Sequence, residues 1–171
     1  MSIDFKSFPI TRYQGSKRRI LPWIYENVRH LEFDTVLDAC GGSGSVSYLF
    51  KKMGKSVTYI DKLKFNYQIG LALIQNKETK FLDEDLLNLY DWIESNPSED
   101  FIERTFGGIY YWRRENEWLD KINGGIMNMN HYHGQELTYK KALAYYALFQ
   151  ACIIKRPFNL FHRRNLNIRT R

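Results

Sequence analysis

The chain has 171 residues, room for one domain of ordinary size, and 44% of them are hydrophobic, enough to build a packed core. No apolar run approaches the roughly 20 residues of a membrane-spanning helix, the opening Met1-Ser2-Ile3-Asp4-Phe5-Lys6 has no signal-peptide centre, and Cys40 and Cys152 cannot make a disulfide framework, so a soluble cytoplasmic protein without membrane contact is expected. The net charge of +6 is uneven: eight basic residues and no acid fall between Leu137 and Arg171, while nine acids face one lysine between Glu78 and Glu103. The arginine-rich end, with Arg12 and Lys17-Arg18-Arg19, reads either as solvated faces or as a surface for a polyanion.

In chain order, Thr35–Ala39 is a short β-rich run followed by the turn Cys40-Gly41-Gly42-Ser43-Gly44-Ser45. Val46–Met53 has helical spacing, and Gly54 is a helix stop. Ser56–Ile60 is a second strand ending in Asp61, Phe65–Gln75 a second helix, and Lys80-Phe81-Leu82 a third short strand before a helix at Leu86–Glu94. The order strand, helix, strand, helix, strand predicts an α/β unit with a parallel sheet over residues 1–95.

Residues 96–171 predict a helical second half with a basic tail. Trp112–Ile122 is a helix anchored by Trp112, Trp118 and Leu119. Thr138 is a good N-cap for the next helix. From Ala142 to Ile154 only Gln150 is polar, which predicts burial on most sides, and Pro157 closes the helix.

The chemistry concentrates at the first turn. Ligands of open α/β sheets bind outside the carboxyl ends of the strands, where Gly41-Gly42-Ser43-Gly44 lies. Asp61 ends the second strand, about 20 residues after Gly42, where a carboxylate can accept from both hydroxyls of a ribose. A packing turn with an N-capping aspartate is the bland alternative. Ser47 stands where the dinucleotide fingerprint wants Gly or Ala, which weakens a nicotinamide cofactor. Asp38, just before the turn, would repel a pyrophosphate but suits a cationic amino group, and so favours S-adenosylmethionine.

At these residues the chain resembles a family. Arg12-Tyr13-Gln14-Gly15-Ser16-Lys17-Arg18-Arg19-Ile20-Leu21-Pro22-Trp23-Ile24 is similar to the opening motif of Dam-like, alpha-group DNA N6-adenine methyltransferases. Asp38–Val46 resembles their cofactor turn, with Cys40 where Phe is usual; Tyr59-Ile60-Asp61 resembles their acid-ending strand, and Lys155–Arg163 a later stretch. The resemblance implies a partial Rossmann-like S-adenosylmethionine-dependent methyltransferase fold acting on duplex DNA. It implies donor binding by Tyr13, Lys17, Asp38, Gly42, Gly44 and Asp61, with Arg163, Arg164 and Arg169 near DNA.

One family element is missing. Members carry a later Asp/Asn-Pro-Pro-aromatic motif that grips the flipped adenine. The four prolines here, Pro9, Pro22, Pro97 and Pro157, are never adjacent, so no catalytic residue is assigned. The resemblance places that motif beyond Arg171, in a second polypeptide or a longer parent chain. An open sheet edge along Thr35–Ala39 is the expected physical consequence. Two other readings stay open: a catalytically inactive module that binds nucleic acid or regulates a partner, and an NAD-dependent oxidoreductase. His131 and His133 lack further metal ligands in sequence, Glu115 and Glu117 read as helical surface charge, and Cys40 reads as a small turn filler.

Overall fold

The computed structural model describes residues 3–9, 13, 15–97 and 99–155. Its centre is a parallel pair of strands, β1 (Thr35–Asp38) and β2 (Ser56–Tyr59), in the register Thr35 with Ser56 to Asp38 with Tyr59. They are joined through helix α2 (Ser45–Lys52), as the sequence order requires of parallel neighbours. The helix stops where Gly54 takes a left-handed backbone angle. There Gly54 N–H bonds Lys51 O and Lys55 N–H bonds Phe50 O, each at 3.0 Å, the paired bonds of a Schellman ending.

In front of β1, a 3₁₀ turn at Lys17–Ile20 runs into α1 (Leu21–Val28), whose Pro22 occupies the first turn, where a missing N–H does no harm. Phe8, Leu21 and Leu49 form a buried cluster that fastens this N-terminal segment to α2. After β2, α3 (Lys64–Ile69) continues as a π-helical stretch, Gly70–Gln75. Lys51 donates to Leu73 O and Asn76 O there at 2.7 and 2.5 Å, so a cation satisfies the carbonyls at the helix end.

The third strand is not found among the described residues: Lys80–Leu82 is irregular, with Leu82 extended, and joins no sheet. The reason is local. Leu82 N–H donates to the Asp85 carboxylate at 2.5 Å, which starts α4 (Asp83–Ser95) and takes the group a ladder would use. Among the described residues the sheet is therefore two-stranded, with β2 the one partner of β1. Leu37, on β1, is 63% exposed.

The remaining elements among the described residues are helices: α5 (Phe101–Phe106), α6 (Arg113–Met127) and α7 (Gly134–Lys155). Of the three expected anchors of α6, Leu119 is half-buried but Trp112 and Trp118 are exposed. Asn116 and Asp120 are buried instead. Asp120 accepts from the N–H groups of Ile102 and Glu103 at 2.9–3.2 Å, and Asn116 donates to Glu103 at 2.8 Å, so the polar face of α6 caps and holds α5. Glu117 pairs with Arg113 one turn away, and Glu115 caps Trp112 N–H, as surface helical charge does.

Helix α7 begins at Gly134, so Thr138 lies inside it and donates to Gly134 O instead of capping. Its first half is buried at Tyr139, Lys140, Ala142 and Ala144, but its last turns are not: Ile154 is 57% exposed. The expected burial on most sides thus fails over that half, where the described residues supply too few neighbours. Between α4 and α7 runs a buried ion pair, Lys140 Nζ to Asp85 Oδ2 at 2.6 Å, with the ammonium 4.4 Å from the Tyr132 ring centre. Burial opposes charge on both groups and is the largest single effect. Their mutual hydrogen bond, together with hydrogen bonds to Tyr132 and, for Asp85, from Leu82 N–H, outweighs it, so Asp85 is held below and Lys140 above its ordinary pKa. Among the described residues, no helix is long and apolar enough to cross a membrane.

Candidate functional site

The carboxyl ends of β1 and β2 open onto a cleft of about 480 Å³ lined by Tyr13, Lys17, Asp38, Gly42, Asp61 and Asn66, among others. That volume falls within the range of small-ligand sites. Five of the six residues singled out in the sequence thus meet in one cavity, although they come from three separate stretches of chain. Gly44, the sixth, is buried against Ile69, Ile74 and Tyr59 and does not line the cleft.

The turn itself is built from backbone. Gly41 N–H bonds Ile60 O at 3.1 Å, and Gly44 N–H bonds Gly41 O at 2.8 Å. Gly42 and Gly44 both have positive φ, +51° and +71°, a conformation that strains any residue with a Cβ. Gly44 then caps α2, its carbonyl taking Tyr48 N–H at 2.8 Å.

Asp61 is locked to this turn. Its Oδ2 accepts Gly42 N–H and its Oδ1 accepts Leu63 N–H, both at 2.9 Å. Partial burial by itself would raise its carboxyl. Hydrogen bonds from Leu63 N–H, the Asn66 side chain, Gly42 N–H and Lys62 N–H outweigh that and hold it below the usual carboxylate value. The result is an ionised carboxylate of fixed orientation on the wall of the cleft.

Asp38 is held differently: the fully buried Ser47 donates its hydroxyl to Asp38 Oδ2 at 2.5 Å. The serine that departs from the dinucleotide fingerprint therefore positions the acid at the end of β1. Tyr13 stands across the turn, its ring 3.5 Å from where a Cβ on Gly42 would sit. Lys17 Nζ bonds Gly15 O at 2.9 Å on the same wall. Cys40 is exposed and lines the cleft; it does not fill the turn.

Sequence reasoning missed four supporting features. Ser16, Ser43 and Ser45 form a triangle of hydroxyls, 2.9–3.2 Å apart, that pins the N-terminal segment to the turn. Tyr59 Oη donates to Gly42 O at 2.7 Å, and its ring fills the space a Cβ on Gly41 or Gly70 would occupy. Burial, then the carboxylates of Asp61 and Asp38, push the Tyr59 hydroxyl above its ordinary pKa, so it stays a donor. Asn66 joins Tyr13 to the site at 3.0 Å. Ser47 reads in the sequence only as a departure from Gly or Ala, whereas its hydroxyl holds Asp38. Most of these contacts join residues far apart in sequence and leave no local pattern. The residues expected near DNA, Arg163, Arg164 and Arg169, lie outside the described residues. His131 and His133 are exposed, and among the described residues no three potential metal ligands cluster.

Comparison with known proteins bears on this cleft. Residues 13–156 match the family described as D12 class N6 adenine-specific DNA methyltransferase. The chain is also 33% identical over 155 residues to the Type II methyltransferase M2.HphI of Haemophilus parahaemolyticus. That alignment covers 90% of this chain and 43% of the relative, so the chain spans less than half the relative's length. No solved structure matches.

Proposed function

The chain belongs to the D12 class of N6 adenine-specific DNA methyltransferases, and from that premise we propose that its cleft holds S-adenosylmethionine for methyl transfer to N6 of adenine in duplex DNA. The observation that carries the reading is the bond between Gly42 N–H and Asp61 Oδ2: an ionised acid fixed beside a glycine turn at the carboxyl edge of a parallel sheet. The residues fit the group. Positive-φ glycine leaves the turn open to a ligand, two carboxylates face a donor that carries hydroxyls and an ammonium, and an aromatic ring forms the opposing wall.

In this reading Asp61 accepts from the ribose hydroxyls and Asp38, steadied by Ser47, attracts the amino group. Tyr13 and Lys17 close the site from the N-terminal side, while Gly42 and Gly44 shape the turn. When bound, adenosylmethionine supplies an electrophilic methyl group on its sulfonium. The chain's own residues orient that group, and Arg163, Arg164 and Arg169 would neutralise DNA phosphates in the cytoplasm.

The Asp/Asn-Pro-Pro-aromatic motif is absent from these 171 residues. Gripping the flipped adenine therefore requires residues from a second polypeptide or a continuation of the chain. The edge of β1 away from β2, which pairs with no strand among the described residues and where Leu37 is 63% exposed, is the place where such a segment would extend the sheet. The missing motif also supports a second reading, a catalytically inactive module that binds nucleic acid or regulates a partner. Ultraviolet cross-linking with methyl-labelled adenosylmethionine tests the cofactor claim. Label should enter the wild-type chain, fall sharply in Asp61→Ala, and resist competition by NAD. Competition by NAD would instead support an oxidoreductase. Adding a polypeptide that carries the proline motif should then produce N6-methyladenine in duplex DNA; cofactor binding without any such transfer would favour the inactive module.

A further inference from the structure

Asn66 stands in the first turn of α3 and is 1% exposed. Its Nδ2 donates to Tyr13 Oη at 3.0 Å, and its side chain also hydrogen-bonds the Asp61 carboxylate. It therefore joins two cleft residues that come from opposite sides of the turn. Its Oδ1 is fully buried and has no hydrogen-bond partner. A buried amide oxygen without a donor costs stability. A leucine of similar size would fill the same space without that cost, so packing does not account for an asparagine.

The hydrogen-bond inventory of the three side chains does account for it. An ionised carboxylate only accepts, so the amide N–H groups serve Asp61 and Tyr13 and the Oδ1 is turned away from both. Because Tyr13 Oη accepts from Asn66, the phenol's own proton is directed elsewhere. The Tyr13 ring faces the turn and lines the cleft, so the open direction for that proton is toward a ligand.

We propose that Asn66 is a positioning residue for the methyl donor: it orients the Tyr13 hydroxyl to donate to an acceptor on the ligand and holds the Asp61 carboxylate in place for the ribose. The inference rests on the reading of the cleft as an adenosylmethionine site.

Calorimetric titration with adenosylmethionine of the wild-type chain, Tyr13→Phe, Asn66→Leu and the double variant tests it. The wild-type titration separates the two claims. No binding there overturns the cofactor reading itself, whereas wild-type binding with unaltered variants overturns only the positioning role. Each single variant should bind roughly tenfold more weakly, the worth of one well-placed hydrogen bond. The double variant should lose much less than the product of the two, because both substitutions remove the same contact. A second readout distinguishes positioning from mere packing. In Asn66→Leu, Asp61 loses a donor, so the pH at which binding fails in acid should move upward; in Tyr13→Phe it should stay in place. Losses that simply multiply, or an acid limit unmoved in Asn66→Leu, overturn the proposal. Should Asn66→Leu lack a cooperative unfolding transition, the half-buried Tyr13→Phe decides, and unchanged affinity there overturns it.

Discussion

Replacing Gly41 with alanine should disrupt the site through one contact. An added Cβ would lie 2.0, 2.4 and 2.6 Å from three atoms of the Tyr59 ring, far inside van der Waals contact. Gly41 does not have a positive φ, so the effect is steric and not conformational. The ring has little room to yield the other way, because its opposite edge packs on Gly70 at the start of the π-helical stretch, where a Cβ would lie 2.6 Å from it. Displacing it breaks the 2.7 Å bond from Tyr59 Oη to Gly42 O, which steadies the turn. Overpacking of this kind costs about 1–3 kcal/mol and the lost hydrogen bond about 1, giving about 2–4 kcal/mol in all. Urea unfolding of Gly41→Ala, Tyr59→Val and the double variant measures it. In the Tyr59→Val background the ring is gone, and Gly41→Ala should then cost less than about 1 kcal/mol. Equal costs in both backgrounds, or a neutral Gly41→Ala, would refute the steric account.

Two more outcomes follow from the electrostatics. Asp61 is held below its ordinary pKa, so its ionised form contributes fully above about 3.9, the unperturbed aspartate value, and the contribution is lost as pH falls through the lower folded value. Adenosylmethionine affinity should accordingly be flat from neutral pH down to the ordinary carboxylate range, and Asp61→Asn should lower it roughly tenfold or more at every pH in that window; a wild-type affinity that drops between pH 7 and 5 would contradict this. For the buried pair, Lys140→Met alone should destabilise by about 3–5 kcal/mol because Asp85 keeps an uncompensated charge, while Asp85→Leu with Lys140→Met should cost far less. With Asp85 lowered and Lys140 raised, the pair's contribution spans the range between their ordinary values, fading in strong acid and in strong base; denaturant midpoints across pH check both points.

What was legible in the sequence was local chemistry. Gly42, Gly44 and Gly54 adopt the positive φ that their places in the chain suggested, and Asp61 stands at the end of β2 beside the turn. Failures came where one particular hydrogen-bond partner, near or far along the chain, decided the outcome. Lys80–Leu82 has strand-like residues, but Asp85 claims the Leu82 N–H. Trp112 and Trp118 looked like anchors, yet α6 turns Asn116 and Asp120 inward because α5 needs its N–H groups satisfied. Asn66 and the serine triangle carry no periodic or motif signal, since their meaning depends on Tyr13, Ser16 and the turn meeting in space.

The central claim is that this cleft binds the methyl donor, and isothermal titration of the chain with S-adenosylmethionine and, in parallel, with NAD tests it most directly. The account predicts saturable binding of one adenosylmethionine per chain, abolished in Asp61→Ala, and no comparable heat with NAD. A folded chain that takes up NAD in preference, or binds neither ligand, would contradict it.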